Sequence, residues 1–214
     1  MGEAGMIDAF APRVSWANPG DLAAVAERVA TELARPRPLR LCVPGGSTAP
    51  RVFALLADCG LDWTGVTLTL NDDRRVPDDH PASNYGKLRA VLPDVTIERL
   101  VEGAQVAPFD CVWLGMGEDG HVASLFPRMR AELRPGPCVI ATSPIPLPAE
   151  APFDRLSLNW RALLAARAVI LVVTGAPKRR VIEAALAGAD LPVATLLAGA
   201  GVPAPPPMTI YWSA

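Results

Sequence analysis

Along the 214 residues, apolar runs of five or six positions alternate with longer stretches in which apolar residues recur every three or four positions. Short apolar runs bounded by Gly, Pro or Asp read as strands buried on both faces. The 3.6-residue spacing reads as helices with one face on a core. Segments 39–43, 66–70, 109–114 and 169–173 are the clearest strands, 209–212 is a final one, and 138–142 is a further candidate. Helices are predicted over 21–33 with Asp21 as N-cap, 50–57, 84–91 with Ser83 as cap, and 178–187. Segment 71–83 reads as a polar loop. The alternation argues for an α/β fold, a Rossmann-like open, mostly parallel sheet with helices on both faces. The proline-rich stretch 128–153 departs from it and is expected to form a small excursion, either over the sheet or as an antiparallel addition. No linker or internal repeat divides the chain, so 1–214 is expected as a single domain.

Loops that leave the carboxyl ends of parallel strands line a common crevice, and four of them here are rich in polar groups. Gly45-Gly46-Ser47-Thr48 leads from a strand into a helix. Bare backbone N–H groups, two hydroxyls and a helix N-terminus suit a phosphate, although an ordinary capped turn has the same composition. It lacks the P-loop lysine, so it is no nucleoside-triphosphate site. Asn71-Asp72-Asp73-Arg74-Arg75 supplies acids that orient and an arginine that grips an anion; as a bare pattern it also fits a solvated turn. Gly175-Ala176-Pro177-Lys178 puts a lysine at a helix start, where it opposes the dipole unless an anion faces it.

The fourth loop, Gly115-Met116-Gly117-Glu118-Asp119-Gly120-His121, carries one of only two histidines. An imidazole on a glycine loop above a sheet can take and return a proton near neutral pH. Its glycines satisfy G-x-G-x-x-G, but Pro127 leaves no room for the long helix that a dinucleotide pyrophosphate needs, and no acid-ended strand follows at ribose spacing. Each loop alone is a weak signal. One anion-binding crevice with a histidine accounts for all four together.

Half of the residues are hydrophobic, enough for a sizeable core. The net charge of −2 excludes the basic face that nucleic-acid binding requires. Cys42, Cys59, Cys111 and Cys138 form no C-x-x-C pair, and with two histidines they offer no metal spacing. Reduced thiols, an N-terminus that carries Glu3 and Asp8 rather than a basic leader, and a longest apolar stretch of only 168–173 point to a cytoplasmic protein with no membrane partner.

Taken together, the motifs PGGSTAP at 44–50, NDDRRVPDDHPASNY at 71–85, LGMGEDGHVASLFP at 114–127, DRLSLN at 154–159 and TGAPK at 174–178 resemble those of the 6-phosphogluconolactonases. This group sits within a larger one that includes glucosamine-6-phosphate deaminase and isomerase. The motifs run in the family's order over nearly the whole chain. The GxGxDGHxASLFP form is similar to the lactonase branch, and Arg74 stands where the deaminases usually have Tyr. One position departs: the lactonases usually read Asp-Glu-Arg, and here the middle residue is Asp73, one methylene shorter, so any role in supporting Arg74 or orienting His121 is in question.

The resemblance implies hydrolysis of 6-phospho-D-glucono-1,5-lactone to 6-phosphogluconate in the pentose phosphate pathway, with neither metal nor cofactor. His121 would take a proton from the attacking water, and Asp119 or an acid of the Asp72-Asp73 pair would orient the imidazole. Backbone N–H groups of 115–120 or of Gly45 and Gly46 would hold the oxyanion. Ser47, Thr48, Arg74, Arg155 and Lys178 are the candidates for the phosphate and sugar hydroxyls. The substrate is the expected partner of a monomer or a dimer. The competing expectations are an amino-sugar-phosphate isomerase/deaminase with Asp72 as base, and a sugar-phosphate sensor without turnover.

Overall fold

The computed structural model describes residues 13–46, 48–57, 59–127, 129, 136–147, 152–199 and 202–214. Numbered along the chain, the strands are β1 (Val14–Trp16), β2 (Leu39–Val43), β3 (Val66–Leu70), β4 (Asp72–Arg74), β5 (Thr96–Glu98), β6 (Phe109–Leu114), β7 (Val139–Thr142), β8 (Arg155–Leu158), β9 (Ala166–Thr174) and β10 (Met208–Ser213). The helices are α1 (Leu22–Leu33), α2 (Thr48–Ala57), α3 (Asn84–Val91), α4 (Trp160–Leu164), α5 (Ala176–Leu186) and α6 (Pro192–Ala198).

Among the described residues, seven strands form a sheet in the order β1-β10-β9-β6-β2-β3-β5, with every neighbouring pair parallel. Its central strands are apolar because both faces are covered. Strand β6 shows the division, since alternate side chains point to opposite faces. Cys111 and Trp113 enter a core with Val25 and Val29 of α1, Val52 and Phe53 of α2 and Leu88 of α3. Val112 and Leu114 enter the other, with Leu163 of α4, Ile182 of α5 and Leu196 of α6. Each fully buried aliphatic side chain of this kind contributes about 1.5–3 kcal/mol.

The helix starts follow capping chemistry. Asp21 Oδ1 accepts from the Ala24 N–H at 2.9 Å, and Ser83 Oγ accepts from the Gly86 N–H at 2.9 Å, as the sequence predicts. Helices α2 and α5 begin two residues before Pro50 and Lys178, the starts read from sequence. Proline is tolerated in a first turn, whose N–H groups have no intrahelical partner, so Pro50 and Pro177 lie inside the helices rather than at their boundaries.

The chain order places the sheet's switch point between β2 and β6. From β2 the chain builds outward through β3 to β5; from β6 it builds the other way, through β9. Edge strand β1 pairs only with β10, Val14 opposite Met208, and the Arg13 carbonyl accepts from the Met208 N–H at 2.8 Å.

The expected loop 71–83 is corrected at its start. Asp72–Arg74 is a strand, β4, in a three-stranded antiparallel sheet of order β4-β8-β7. Asn71 is the corner between the two sheets: its N–H donates to the Val43 carbonyl at 3.0 Å and its carbonyl accepts from the Leu158 N–H at 2.9 Å. The antiparallel addition expected within 128–153 is therefore present as β7, while positions 128, 130–135 and 148–151 lie outside the described residues.

Candidate active site

The four polar loops leave β9, β6, β2 and β3, which are consecutive in the sheet, so they meet at the switch point. They enclose a cleft of about 340 Å³. Gly45, Gly46 and Thr48 form one wall, Asp72, Arg74 and Asn84 another, Gly115, Gly117 and His121 a third, and Thr174 and Lys178 the last. Ser47 lies outside the described residues. Asp119 and Arg155 are not on the wall. Asp119 reaches the cleft through His121, and Arg155, only 4% exposed, lies behind Arg74, its partner across the β4–β8 ladder.

His121 is held from three sides. Asp119 Oδ1 lies 2.6 Å from Nδ1 and also accepts from the His121 N–H at 3.1 Å. The Gly117 N–H donates to the His121 carbonyl at 2.9 Å, and the ring of Phe126 packs with its centroid 4.9 Å from the imidazole. The imidazole lies directly over Gly117, where a Cβ would sit 2.2 Å from Cε1 and 2.3 Å from Nδ1. Gly120, at φ 80°, takes the left-handed turn that brings the chain back. The hydrogen bond from His121, joined by its charge, holds the Asp119 carboxyl below the ordinary range. Asp119 is therefore an ionised acceptor at neutral pH, so in the neutral form of the ring Nδ1 carries the proton and Nε2 the lone pair. Of the three acids the sequence offered as the imidazole's partner, Asp119 is the one in contact.

Asp73 does neither task considered for it. Its Oδ1 accepts from the N–H groups of Asn84 and Arg74, both at 2.7 Å, and its Oδ2 accepts from the Tyr85 N–H at 2.9 Å. It anchors the start of α3 to β4, touching neither His121 nor the Arg74 guanidinium. Asp72 faces the cleft half-buried, and its desolvation by the surrounding protein raises its carboxyl against the pull of the Ser124 hydroxyl, Arg74 and Arg155. Arg74 Nη1 donates to the Ala82 carbonyl at 2.9 Å, and its Nε has no hydrogen-bond partner among the described residues.

The opposite end of the cleft is made of helix starts. Thr48 opens α2 and Lys178 lies in the first turn of α5, which has no side-chain cap. First-turn N–H groups and a lysine with no ion partner among the described residues are suited to an anion. No group of three His, Cys, Asp or Glu side chains among the described residues is arranged to hold a metal. Among them, too, no helix is long and apolar enough to cross a membrane.

Two site residues carried no assigned role in the sequence reading. Asn84 is 3% exposed and lies flat on Gly45, where a Cβ would come within 2.1 Å of its amide. Its Nδ2 donates to the Asp72 carbonyl at 3.2 Å and its Oδ1 accepts from Arg74 at 3.4 Å. Ser124 donates to Asp72 Oδ2 at 2.5 Å. Their presence inside the motifs is the signal that was available; their contacts are long-range.

A model of the family described as glucosamine-6-phosphate isomerases/6-phosphogluconolactonase matches residues 21–101 and 94–203. The chain belongs to this family. Among similar members of the glucosamine-6-phosphate isomerase/6-phosphogluconolactonase family, a 6-phosphogluconolactonase of Pseudomonas aeruginosa is 33% identical, aligned over 90% of this chain and 89% of that protein. A 6-phosphogluconolactonase of Pseudomonas putida is 34% identical over 88% of this chain and 85% of its own. The crystal structure of a 6-phosphogluconolactonase from Shewanella baltica superposes with a TM-score of 0.75 at 29% identity, covering 94% of this chain and 97% of the other.

Proposed function

We propose that this chain hydrolyses 6-phospho-D-glucono-1,5-lactone to 6-phospho-D-gluconate, the step that serves the oxidative pentose phosphate pathway, in the cytoplasm. The observation that carries the reading is the Asp119–His121 pair, with no hydrogen-bond partner on Nε2 among the described residues, in a cleft whose far end gathers two helix starts and Lys178. The names of its relatives support the substrate, and unpaired cysteines support a reducing compartment.

In this reading the phosphate sits on the first turn of α2 with Gly45, Gly46 and Thr48, and against Lys178. Ser47 belongs to the same loop. The lactone ring then extends towards β4 and β6. His121 Nε2 removes a proton from water as its oxygen bonds to the lactone C1. The carbonyl π electrons move to oxygen, and backbone N–H groups of 115–120 receive the oxyanion. The oxyanion reforms the carbonyl, the bond from C1 to the ring oxygen breaks, and His121 returns its proton to that oxygen. Asp119 stabilises the imidazolium between the two transfers. Asp72 and Arg74 address the ring hydroxyls and carbonyl, and Arg155 acts from behind on Arg74. All these groups come from one chain, so the reading needs no second subunit.

The test is hydrolysis of freshly generated lactone above its spontaneous rate, for wild type and His121→Ala, with a metal chelator present. Acceleration by wild type and at least a 100-fold loss in the variant is expected. Full activity in the variant overturns the mechanism. No acceleration by wild type, with ammonia released from glucosamine 6-phosphate instead, moves the assignment to the deaminase branch.

A further inference from the structure

Asp72 is half-buried on the cleft wall, and the side chain placed to hold it comes from the loop of the general base. Ser124 is 1% exposed; its Oγ donates to Asp72 Oδ2 at 2.5 Å. Ser124 is itself fixed by the strand opposite: its N–H donates to Ser157 Oγ at 3.2 Å, and Ser157 stands directly across the β4–β8 ladder from Asp72. Ser157 Oγ in turn donates to the Leu158 carbonyl at 3.0 Å, which leaves its lone pairs facing Ser124.

These contacts close a ring from β4 to the His121 loop to β8 and back. The ring also accounts for a strained neighbour. Ala123, on the cleft wall, has a φ of 52°, a left-handed conformation unfavourable for a residue with a Cβ. Such strain persists where the surroundings over-determine it, and it clusters at working sites. Ser124, the next residue, is bonded at both its N–H and its hydroxyl.

We propose that Ser124 is a positioning residue: its hydroxyl fixes one oxygen of Asp72, ties β4 to the loop that carries His121, and leaves the other oxygen of Asp72 turned to the substrate. A hydroxyl that donates to a buried carboxylate favours its ionised form. Without it, Asp72 keeps the attraction of Arg74 on its own strand and of Arg155 on β8. Against these stand desolvation and Asp73; the buried thiol of Cys42 on β2, pushed well up by its own burial, stays neutral. His121 and Lys178 border the same cleft. The claim rests on the lactonase reading for its kinetic consequence and on geometry alone for its contact.

The experiment is a carboxyl ¹³C titration of Asp72, assigned by comparison with Asp72→Asn, together with the pH dependence of kcat/KM for lactone hydrolysis. Ser124→Ala is expected to raise the Asp72 midpoint by about one to two units and to lower kcat/KM on the acid side more than on the plateau. The substrate phosphate also ionises on this limb, so the carboxyl's own signal is decisive. Ser157→Ala, which loosens Ser124 only through its backbone, is expected to give a smaller rise and serves if Ser124→Ala does not fold. An unmoved Asp72 midpoint in folded Ser124→Ala overturns the proposal, as does a pH profile and kcat/KM equal to wild type. If wild type does not accelerate hydrolysis, the functional reading is what fails, and the carboxyl midpoint alone still decides the contact.

Discussion

Replacing Gly117 by Ala inserts one methyl group between backbone and base. The new Cβ would lie 2.2 Å from His121 Cε1, 2.3 Å from Nδ1 and 2.6 Å from Asp119 Oδ1, whereas ordinary contact begins at 3.4 Å. The imidazole must therefore retreat by roughly 1.2 Å, and it cannot do so while keeping its 2.6 Å bond to Asp119 unless that residue moves with it. A misplacement of about 1 Å in a reacting group costs on the order of 100-fold in rate, or about 2.7 kcal/mol of barrier. The backbone of Gly117 is not in the left-handed region, so alanine adopts it without strain, and the fold is expected to persist. The assay is steady-state lactone hydrolysis beside a thermal melt. A roughly 100-fold loss in kcat, with a midpoint within a few degrees of wild type, is the expected result. A folded Gly117→Ala enzyme within threefold of wild-type kcat would refute the assignment of the imidazole as the base.

Three further outcomes follow from the same geometry. Asp119→Asn replaces an obligate acceptor with an amide that can donate to Nδ1, so the lone pair at Nε2 is no longer assured; kcat should fall on the order of 10²–10⁴-fold with KM little changed, and a wild-type kcat would contradict the tautomer argument. Lys178→Ala should raise KM by roughly 10-fold or more, with a weaker dependence on salt than wild type, because a half-buried cation open to the cleft acts through a charge that salt screens; an unchanged KM would place the phosphate elsewhere. Burial raises the Asp72 carboxyl, so the folded state binds its proton more tightly than the unfolded chain does, and the stability it contributes in acid is lost as pH rises through its folded value. Asp72→Asn should accordingly melt higher than wild type at pH 7, with the advantage vanishing below about pH 4, while activity falls; chemical denaturation across pH checks the sign.

Much of the central sheet is legible because both of its faces are covered. Buried parallel strands such as β2, β6 and β9 have no polar side to show, so they appear as unbroken apolar runs. The site's location follows from them, since the polar loops had to leave their ends. Strand β4 is invisible for the opposite reason. Asp72-Asp73-Arg74 are all polar and half-buried, and they become a strand only by pairing with β8 more than eighty residues later. The role of Asp73 was hidden for the same cause: three backbone donors converge on it, and backbone donors leave no trace in residue identity. Arg155 was grouped with the ligand contacts because charge in a motif suggests exposure, whereas the β4–β8 ladder turns it inward behind Arg74. The Asp119–His121 pair, two residues apart in one loop, was within reach of local reasoning.

The pairing of β1 with β10 has a consequence for how the chain comes into being. Val14 has no strand neighbour except Met208, and Arg13 reaches across 193 residues to the Pro206 carbonyl. A ribosome adding about 5–20 residues per second leaves the first strand without its only partner for roughly 10–40 s, until β10 has emerged and docked on β9. A strand made long before its partner is thus among the last to find its place, and that edge of the sheet is formed by the two ends of the described chain meeting side by side.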